Sequence, residues 1–330
     1  MRRFLLLLVV LAIAGAGVLA WWLTQPLPLQ AERVEMSVPA GASLRTAANQ
    51  AVKAGVELPA DVLYAYFRFQ AGQQTIKPGD YAITRGMRAQ DLLDKLIRGD
   101  RILLPVTFVE GWTFKQVRQA LAQAEQLRPD SAALSGAEIM TALGRPGLAP
   151  EGRFFPDTYL YAKNASDLTV LREALLLMDK RLAAAWEARA PGLPLKSPEE
   201  ALILASIVEK ETGQAADRPE IAGVFINRLK LGMRLQTDPT VIYGLGDAFD
   251  GNLKRSHLTG DTPFNTYTRA GLPPTPIAMP GKASLMAAVQ PAQTKALYFV
   301  ARGDGSSQFS PTLDEHNRAV NKYQRGGSSQ

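Results

Sequence analysis

The sequence predicts an α+β protein that begins with a single transmembrane helix. Three observations support this class: an uncharged apolar run at residues 4–23, a short strand, Gly turn and amphipathic helix that recur within residues 34–123, and strongly capped helices after residue 196. The chain has 330 residues, 46% of them hydrophobic and 21% charged. It is therefore long enough for about two or three domains, and its composition excludes wholesale disorder.

Composition also limits the chemistry. The chain contains no Cys and only two His, so disulfides, thiolate metal sites, cysteine nucleophiles and a His-built zinc centre are excluded. We therefore expect no metal and no cofactor, and acid–base chemistry must depend on carboxylates. The net charge of +6 predicts an acidic partner, which charge alone does not identify as lipid, nucleic acid or glycan.

The apolar run at residues 4–23 predicts a membrane anchor. Twenty helical residues at about 1.5 Å each span the hydrocarbon core of a bilayer. Arg2 and Arg3 precede the run and Trp21 and Trp22 end it, so the positive-inside rule places the N-terminus in the cytoplasm. A signal peptide cleaved near Ala20 is the alternative. Either reading exports the remainder of the chain, which argues against nucleic acid as the partner.

The exported part begins with a Pro-containing spacer at residues 25–33. Alternating residues predict strands, and Gly punctuation with amphipathic spacing predicts helices. The expected strands lie at 34–38, 81–84, 105–109 and 297–301, and the expected helices at 43–53, 60–70, 89–98, 114–123, 137–142 and 166–190.

A further helix, opening at Ser197, is predicted to hold the reactive carboxyl. Ser197 is a candidate N-cap and Pro198 occupies the first helical position. Residues 201–208 carry no charge, which indicates a helix buried on all sides. Glu209 follows at its end, where partial desolvation favours the neutral carboxyl that a general acid requires. A solvated helix end is the simpler interpretation, and Glu211, about 200° round the helix, is the alternative acid.

Polar residues around and beyond this helix form a candidate sugar-binding set. Ser206 lies on the Glu209 face, and Asn227 and Arg228 interrupt an apolar stripe. Gln236 and Asp238 form either a helix cap or a sugar-binding edge. Asn265 and Tyr267 lie just before a Pro-rich loop, and their amide and hydroxyl groups also suit a glycan.

Several ordered motifs resemble the YceG-like (MltG) family of membrane-anchored endolytic murein transglycosylases. They are Leu-Ala-Ser-Ile-Val-Glu-Lys-Glu at 204–211, Val-Phe-Ile-Asn-Arg-Leu at 224–229, Leu-Gln-Thr-Asp-Pro-Thr-Val-Ile-Tyr-Gly at 235–244, Asn-Thr-Tyr at 265–267 and Glu-His-Asn at 315–317. The resemblance covers nearly the whole chain. It implies a LysM-like α/β module joined to a mainly helical, lysozyme-like catalytic domain, and this division: 1–24 anchor, 25–33 spacer, 34–105 LysM-like module, 106–195 second α/β segment and connector, 196–330 catalytic domain.

The resemblance implies that Glu209 is the catalytic acid. It implies cleavage of the β-1,4 bond between N-acetylmuramic acid and N-acetylglucosamine, with formation of 1,6-anhydromuramyl ends. One carboxyl suffices because the muramyl 6-hydroxyl is the nucleophile, whereas glycoside hydrolases ordinarily need two carboxylates. Two alternatives remain open: a muramidase using Glu209 with Asp238, and a non-catalytic cell-wall-binding protein. The substrate-binding residues expected beside Glu209 are Ser206, Asn227, Arg228, Gln236, Asp238, Asn265 and Tyr267.

The same resemblance implies location and partners. We expect a single-pass protein of the bacterial cytoplasmic membrane, with its N-terminus in the cytoplasm and its catalytic domain outside. The expected partners are the membrane, peptidoglycan glycan strands and murein polymerases, with no nucleic acid. Membrane attachment restricts cleavage to nascent strands, so the expected role is to terminate or trim them.

Overall fold

The computed structural model describes Trp21 and residues 24–324. They form two compact units. The first contains the described residues up to Leu104 together with Leu160–Ala165, and the second contains Pro105–Tyr159 together with the described residues from Ser166 onward. All the candidate site residues lie in the second unit. The finer division into spacer, LysM-like module, connector and catalytic domain stays a prediction.

The first unit is a small α/β arrangement around one hydrophobic core. Strands β1 (Arg33–Val38) and β2 (Gly79–Thr84) pair antiparallel. Their inward side chains Met36, Val38, Tyr81 and Ile83 are buried, as the alternation of apolar residues predicts. The helices that complete the unit start and stop as expected, and they are α1 (Leu44–Lys53), α2 (Ala60–Gln70) and α3 (Ala89–Arg98).

A two-stranded sheet and three helices come before the helix that is predicted to hold the reactive carboxyl. Strands β3 (Leu103–Thr107) and β4 (Thr158–Ala162) form the sheet, and the residues of each strand are divided between the two units. Thr113 caps the first helix of the second unit through a reciprocal capping box with Gln116. The helices of this segment are α4 (Phe114–Gln123), α5 (Gly136–Ala142) and α6 (Asp167–Glu187).

The remaining elements surround helix α7 (Pro198–Glu211). Every residue of its uncharged run is buried, which confirms that this helix is covered on all sides. Its core cluster includes side chains from the neighbouring helices and from the loop at Ile277. The later elements are α8 (Asp217–Lys230), α9 (Asp238–Leu245), a 3₁₀ turn at Gly246–Ala248, α10 (Arg255–Thr259), α11 (Lys282–Val289), the antiparallel strands β5 (Tyr298–Ala301) and β6 (Ser307–Ser310), and α12 (Leu313–Tyr323).

The fold class needs one correction. The structure has the predicted mixture of helices and strands, but the prediction of a membrane-spanning helix is wrong. Among Trp21 and residues 24–324, no helix is long and apolar enough to cross a bilayer. The longest helix there, α6, carries charged side chains such as Arg172, Asp179 and Lys180. The segment predicted to cross the membrane, residues 4–23, lies outside the described residues except for Trp21.

Candidate active site

Helix α7 ends with three charged residues, Glu209, Lys210 and Glu211. Ser197 caps its start by accepting a hydrogen bond from the Glu200 N–H at 3.3 Å. The helix ends at Glu211, and Thr212 is already extended. Successive helical side chains project about 100° apart, so Glu209, Lys210 and Glu211 face different surroundings.

The side chain of Glu209 is buried, as predicted, and each of its carboxylate oxygens lies near one protein donor. Its side chain is 5% exposed. One oxygen, Oε2, accepts a hydrogen bond from the Gly281 N–H at 2.9 Å, at the start of helix α11. The other oxygen, Oε1, lies 3.6 Å from the guanidinium of Arg218. These contacts tie the end of α7 to α8 and α11.

A second carboxyl, Glu110, lies beside this cluster. Burial and then the neighbouring Glu209 carboxylate raise the pKa of Glu110, while Arg218 lowers it. The Glu110 carboxylate occupies the space beside Gly281, where a Cβ would overlap it. Neither Glu110 nor Arg218 was predicted as a site residue, because nothing in the local sequence marks either as a neighbour of Glu209.

Glu211 faces a different environment, a cavity of about 560 Å³. Its carboxyl accepts a hydrogen bond from the hydroxyl of Thr237. Burial raises the pKa of Glu211 to about 7; the Thr237 hydrogen bond opposes this rise, nearby Asp238 adds to it, and Arg228 opposes it. A carboxyl with these properties holds a proton near neutral pH and has a cavity into which to deliver it.

Four of the predicted substrate-binding residues line this same cavity: Arg228, Gln236, Asp238 and Tyr267. Tyr267 donates its hydroxyl hydrogen to Asp238 Oδ1 at 2.6 Å. Arg228 is 6% exposed, and its guanidinium donates to the carbonyls of Leu235 and Leu297, so it also fixes the cavity wall. Asp238 is the first residue of α9 while Thr237 is its N-cap, so the carboxylate of Asp238 remains available to the cavity.

Gln236 has an unusual backbone conformation at the rim of the cavity. Its φ is +48°, in the left-handed region that residues other than Gly seldom adopt. Its N–H donates to the Thr266 carbonyl at 3.1 Å, which holds the conformation in place. Such conformations cluster at functional sites, because the surrounding structure must maintain them against their energetic cost.

The other predicted substrate-binding residues support loops and do not line this cavity. Ser206 accepts a hydrogen bond from the Ile277 N–H at 3.0 Å. Asn227 donates to the carbonyls of Thr294 and Ala296. Asn265 is completely buried and donates to three carbonyls, those of His257, Leu258 and Gly260.

Two further residues of the cavity were not predicted as site residues. His316 stacks on Tyr298, with ring centroids 5.3 Å apart, and both line the cavity. Burial, and then the neighbouring Arg228, lower the pKa of His316. His316 belongs to the Glu-His-Asn motif noted in the sequence. That motif lies more than a hundred residues beyond Glu211 and on a different helix, so the sequence does not indicate that the two residues share a cavity.

Comparison with known proteins finds relatives over most of the chain. Residues 36–322 match the model of the YceG-like family. The endolytic murein transglycosylase of Bacillus subtilis is 30% identical over 95% of this chain and 91% of its own length. The one from Streptococcus pneumoniae strain D39 is 26% identical over 97% of this chain and 64% of its own.

A solved structure agrees with these matches. The crystal structure of a yceG-like protein from Listeria monocytogenes aligns with a TM-score of 0.55 and 28% identity, covering 87% of this chain and 98% of that one. Together with the sequence matches, this extends the resemblance over both units of the fold. The chain belongs to the YceG-like family.

Proposed function

We propose that this protein is an endolytic murein transglycosylase and that Glu211 is its general acid. The observation that carries the assignment is the cavity that Glu211 shares with Arg228, Gln236, Asp238 and Tyr267. The relatives named endolytic murein transglycosylase support the reaction class. A pKa of about 7 suits a group that must donate a proton and later take one back near neutral pH.

The reaction needs one carboxyl acting twice. Glu211 donates its proton to the glycosidic oxygen as the bond from that oxygen to C1 of the muramyl residue breaks. The resulting carboxylate then takes the proton of the muramyl 6-hydroxyl, whose oxygen forms the new bond to C1. The products are a 1,6-anhydromuramyl end and a free 4-hydroxyl on N-acetylglucosamine, and Glu211 is again protonated.

Glu209 remains the acid that the sequence resemblance implies. Its contacts with Gly281 and Arg218 favour a role in fixing the end of α7. Glu211→Gln and Glu209→Gln separate the two assignments, because each removes one carboxyl and nearly conserves its shape. We expect the first to abolish cleavage of purified murein and the second to retain it at a reduced rate. The reverse result, with both variants folded by circular dichroism, would make Glu209 the acid.

Mass analysis of the cleaved strands tests the product chemistry. Anhydromuramyl ends support the transglycosylase mechanism, whereas reducing ends identify a muramidase, for which Asp238 would be the second carboxylate. Failure of the wild-type protein to cleave any strand would leave only a binding function.

Location and partners extend this proposal. We propose that the catalytic unit works outside the cytoplasmic membrane, near murein polymerases, because its relatives are named endolytic murein transglycosylases and murein lies outside that membrane. We also propose a LysM-like glycan-binding role for the first unit, supported by its β1-α1-α2-β2 order and antiparallel pairing. Cell fractionation tests the first statement. Sacculus pull-down with the full chain and a variant lacking residues 34–100 tests the second.

A further inference from the structure

One wall of the active-site cavity is mainly apolar. Strand β5 contributes all four of its residues, Tyr298–Ala301. Helix α12 contributes Leu313, His316 and Val320, and its C-cap Gln324 also lines the cavity. We name these residues the α12 wall. Its polar side-chain groups are one phenol hydroxyl, one imidazole and one primary amide, and its other members are aliphatic or aromatic.

The helical part of this wall presents aliphatic side chains to the cavity. Leu313, His316 and Val320 are spaced by three and four positions, so they share one face of α12. Leu313 lines the cavity and is nevertheless 52% exposed, and Val320 is half-buried. An aliphatic side chain that remains largely in water is stabilised by contact with an apolar group of a ligand.

The aromatic pair Tyr298 and His316 connects the strand to the helix. The two rings stack with an angle of 25° between their planes. Burial, and then the neighbouring Arg228, lower the pKa of His316, so the ring is neutral near pH 7. A neutral imidazole has one donor and one acceptor nitrogen. The α12 wall therefore combines uncharged hydrogen-bonding groups with aliphatic surface.

The charged groups that line the cavity nearly balance. Arg228 is positive, Asp238 is negative, and Glu211, with its pKa of about 7, is partly protonated near neutral pH. The guanidinium of Arg228 also donates to the carbonyls of Leu235 and Leu297. The cavity thus has no excess of positive charge among its described lining residues, which favours a neutral group of the substrate over its lactyl or peptide carboxylates.

We propose that the α12 wall binds the 2-acetamido group of the sugar held at Glu211, with the methyl against Leu313 and Val320 and the amide beside His316. This inference rests on the proposed function, because it assumes a murein strand at Glu211. The acetamido group is neutral, every sugar of the strand carries it, and it joins a methyl to an amide as the wall joins aliphatic to hydrogen-bonding side chains. The α12 wall therefore makes cleavage selective for N-acetylated strands.

The test compares two neutral substrates that differ by one methyl on each sugar. Murein strands are de-N-acetylated and then re-acylated either with acetyl or with formyl groups. We expect wild type to cleave the acetyl strands with a kcat/KM about tenfold higher, the discrimination that an apolar pocket gives for one methyl. Leu313→Ala and Val320→Ala should each lower this ratio about threefold, because each removes part of the apolar contact. Leu176→Ala, an exposed leucine on α6, is the matched control and should leave the ratio unchanged.

The outcomes separate this inference from the proposed function. Equal kcat/KM values of wild type on the two strands would overturn the inference and leave the lactyl or peptide groups as the occupants of the wall. An unchanged ratio in both wall variants would also overturn it, because the wall would then contact another part of the sugar.

Failure of wild type to cleave the acetyl strands would overturn the proposed function instead. Calorimetric titration of the full-length protein with the trimer of N-acetylglucosamine and with its N-formyl counterpart then decides the role of the wall. Tighter binding of the acetyl trimer, with a preference that weakens in Leu313→Ala, supports the inference. Equal affinities, or a preference unchanged in Leu313→Ala, overturn it.

Discussion

Two neighbouring substitutions should move the pH dependence of cleavage in opposite directions. The pKa of Glu211, about 7, is raised first by burial; the Thr237 hydrogen bond lowers it, Asp238 raises it and Arg228 lowers it. Thr237→Val removes the donor to the ionised carboxylate and conserves the side-chain shape, so the pKa should rise. Asp238→Asn removes a nearby negative charge, so the pKa should fall.

The sizes of the two shifts differ because the environments of the two side chains differ. Thr237 is buried, and a hydrogen bond to a charged group contributes about 1.5 kcal/mol or more, so its loss should raise the pKa by about one unit. Asp238 is exposed, and water screens its charge, so its loss should lower the pKa by about half a unit. Glu211 must be protonated to act, so the alkaline limb of kcat/KM should move up in the first variant and down in the second.

The assay measures the release of anhydromuropeptides from murein between about pH 5 and pH 9 for wild type and both variants. Thr141→Val, on the surface of α5, is the matched control and should leave the alkaline limb in place. A shift of both variants in the same direction would refute the reasoning. So would an unchanged limb in both, because a group other than Glu211 would then control the titration.

Three further predictions concern the structure around the active site. Burial raises the pKa of Glu151 to about 7, so its contribution to the stability of the fold falls as the pH rises from about 4.5 to 7. Glu151→Gln should therefore raise the free energy of unfolding by up to about 3 kcal/mol at pH 8 and by little at pH 5. Denaturant titration at the two pH values measures the difference. Gly281→Ala should lower stability by about 1–3 kcal/mol, because the new Cβ displaces the Glu110 carboxylate. Thermal denaturation measures this loss, and the double variant that also carries Glu110→Ala should recover much of it. Ser206→Ala should lower the free energy of unfolding by about 1–3 kcal/mol, because it leaves the Ile277 N–H without a partner. The folded fraction of this variant should still cleave murein. Full loss of cleavage by folded protein would instead make Ser206 a substrate-binding residue.

The sequence predicts secondary structure well where local chemistry decides it. Helix α3 ends at Gly99, whose φ of +81° is a left-handed conformation that Gly adopts without steric cost. Helix α7 begins at the Ser197 cap followed by Pro198, as expected. These signals act within one helical turn, so they need no knowledge of the tertiary fold.

Candidate site residues are harder to predict because the sequence does not identify their partners. Asn227 and Asn265 suit a sugar as well as a carbonyl, and the structure gives both of them loop carbonyls. Glu151 contacts Tyr243 across 92 positions, a pairing that no local pattern indicates. The Arg218 contact with Glu209 likewise depends on how α8 packs beside α7.

The choice between Glu209 and Glu211 depends on the register of α7. The two carboxyls lie about 200° apart round the helix, so only a rotation of about half a turn would exchange their surroundings. The buried run before them resists rotation because it packs on every side, and the Ser206 contact with Ile277 fixes one face of the helix. Glu209 then locks the end of α7 onto α11 and Arg218. The proposed acid can therefore line the active-site cavity while Glu209, two residues away, fixes the end of the helix.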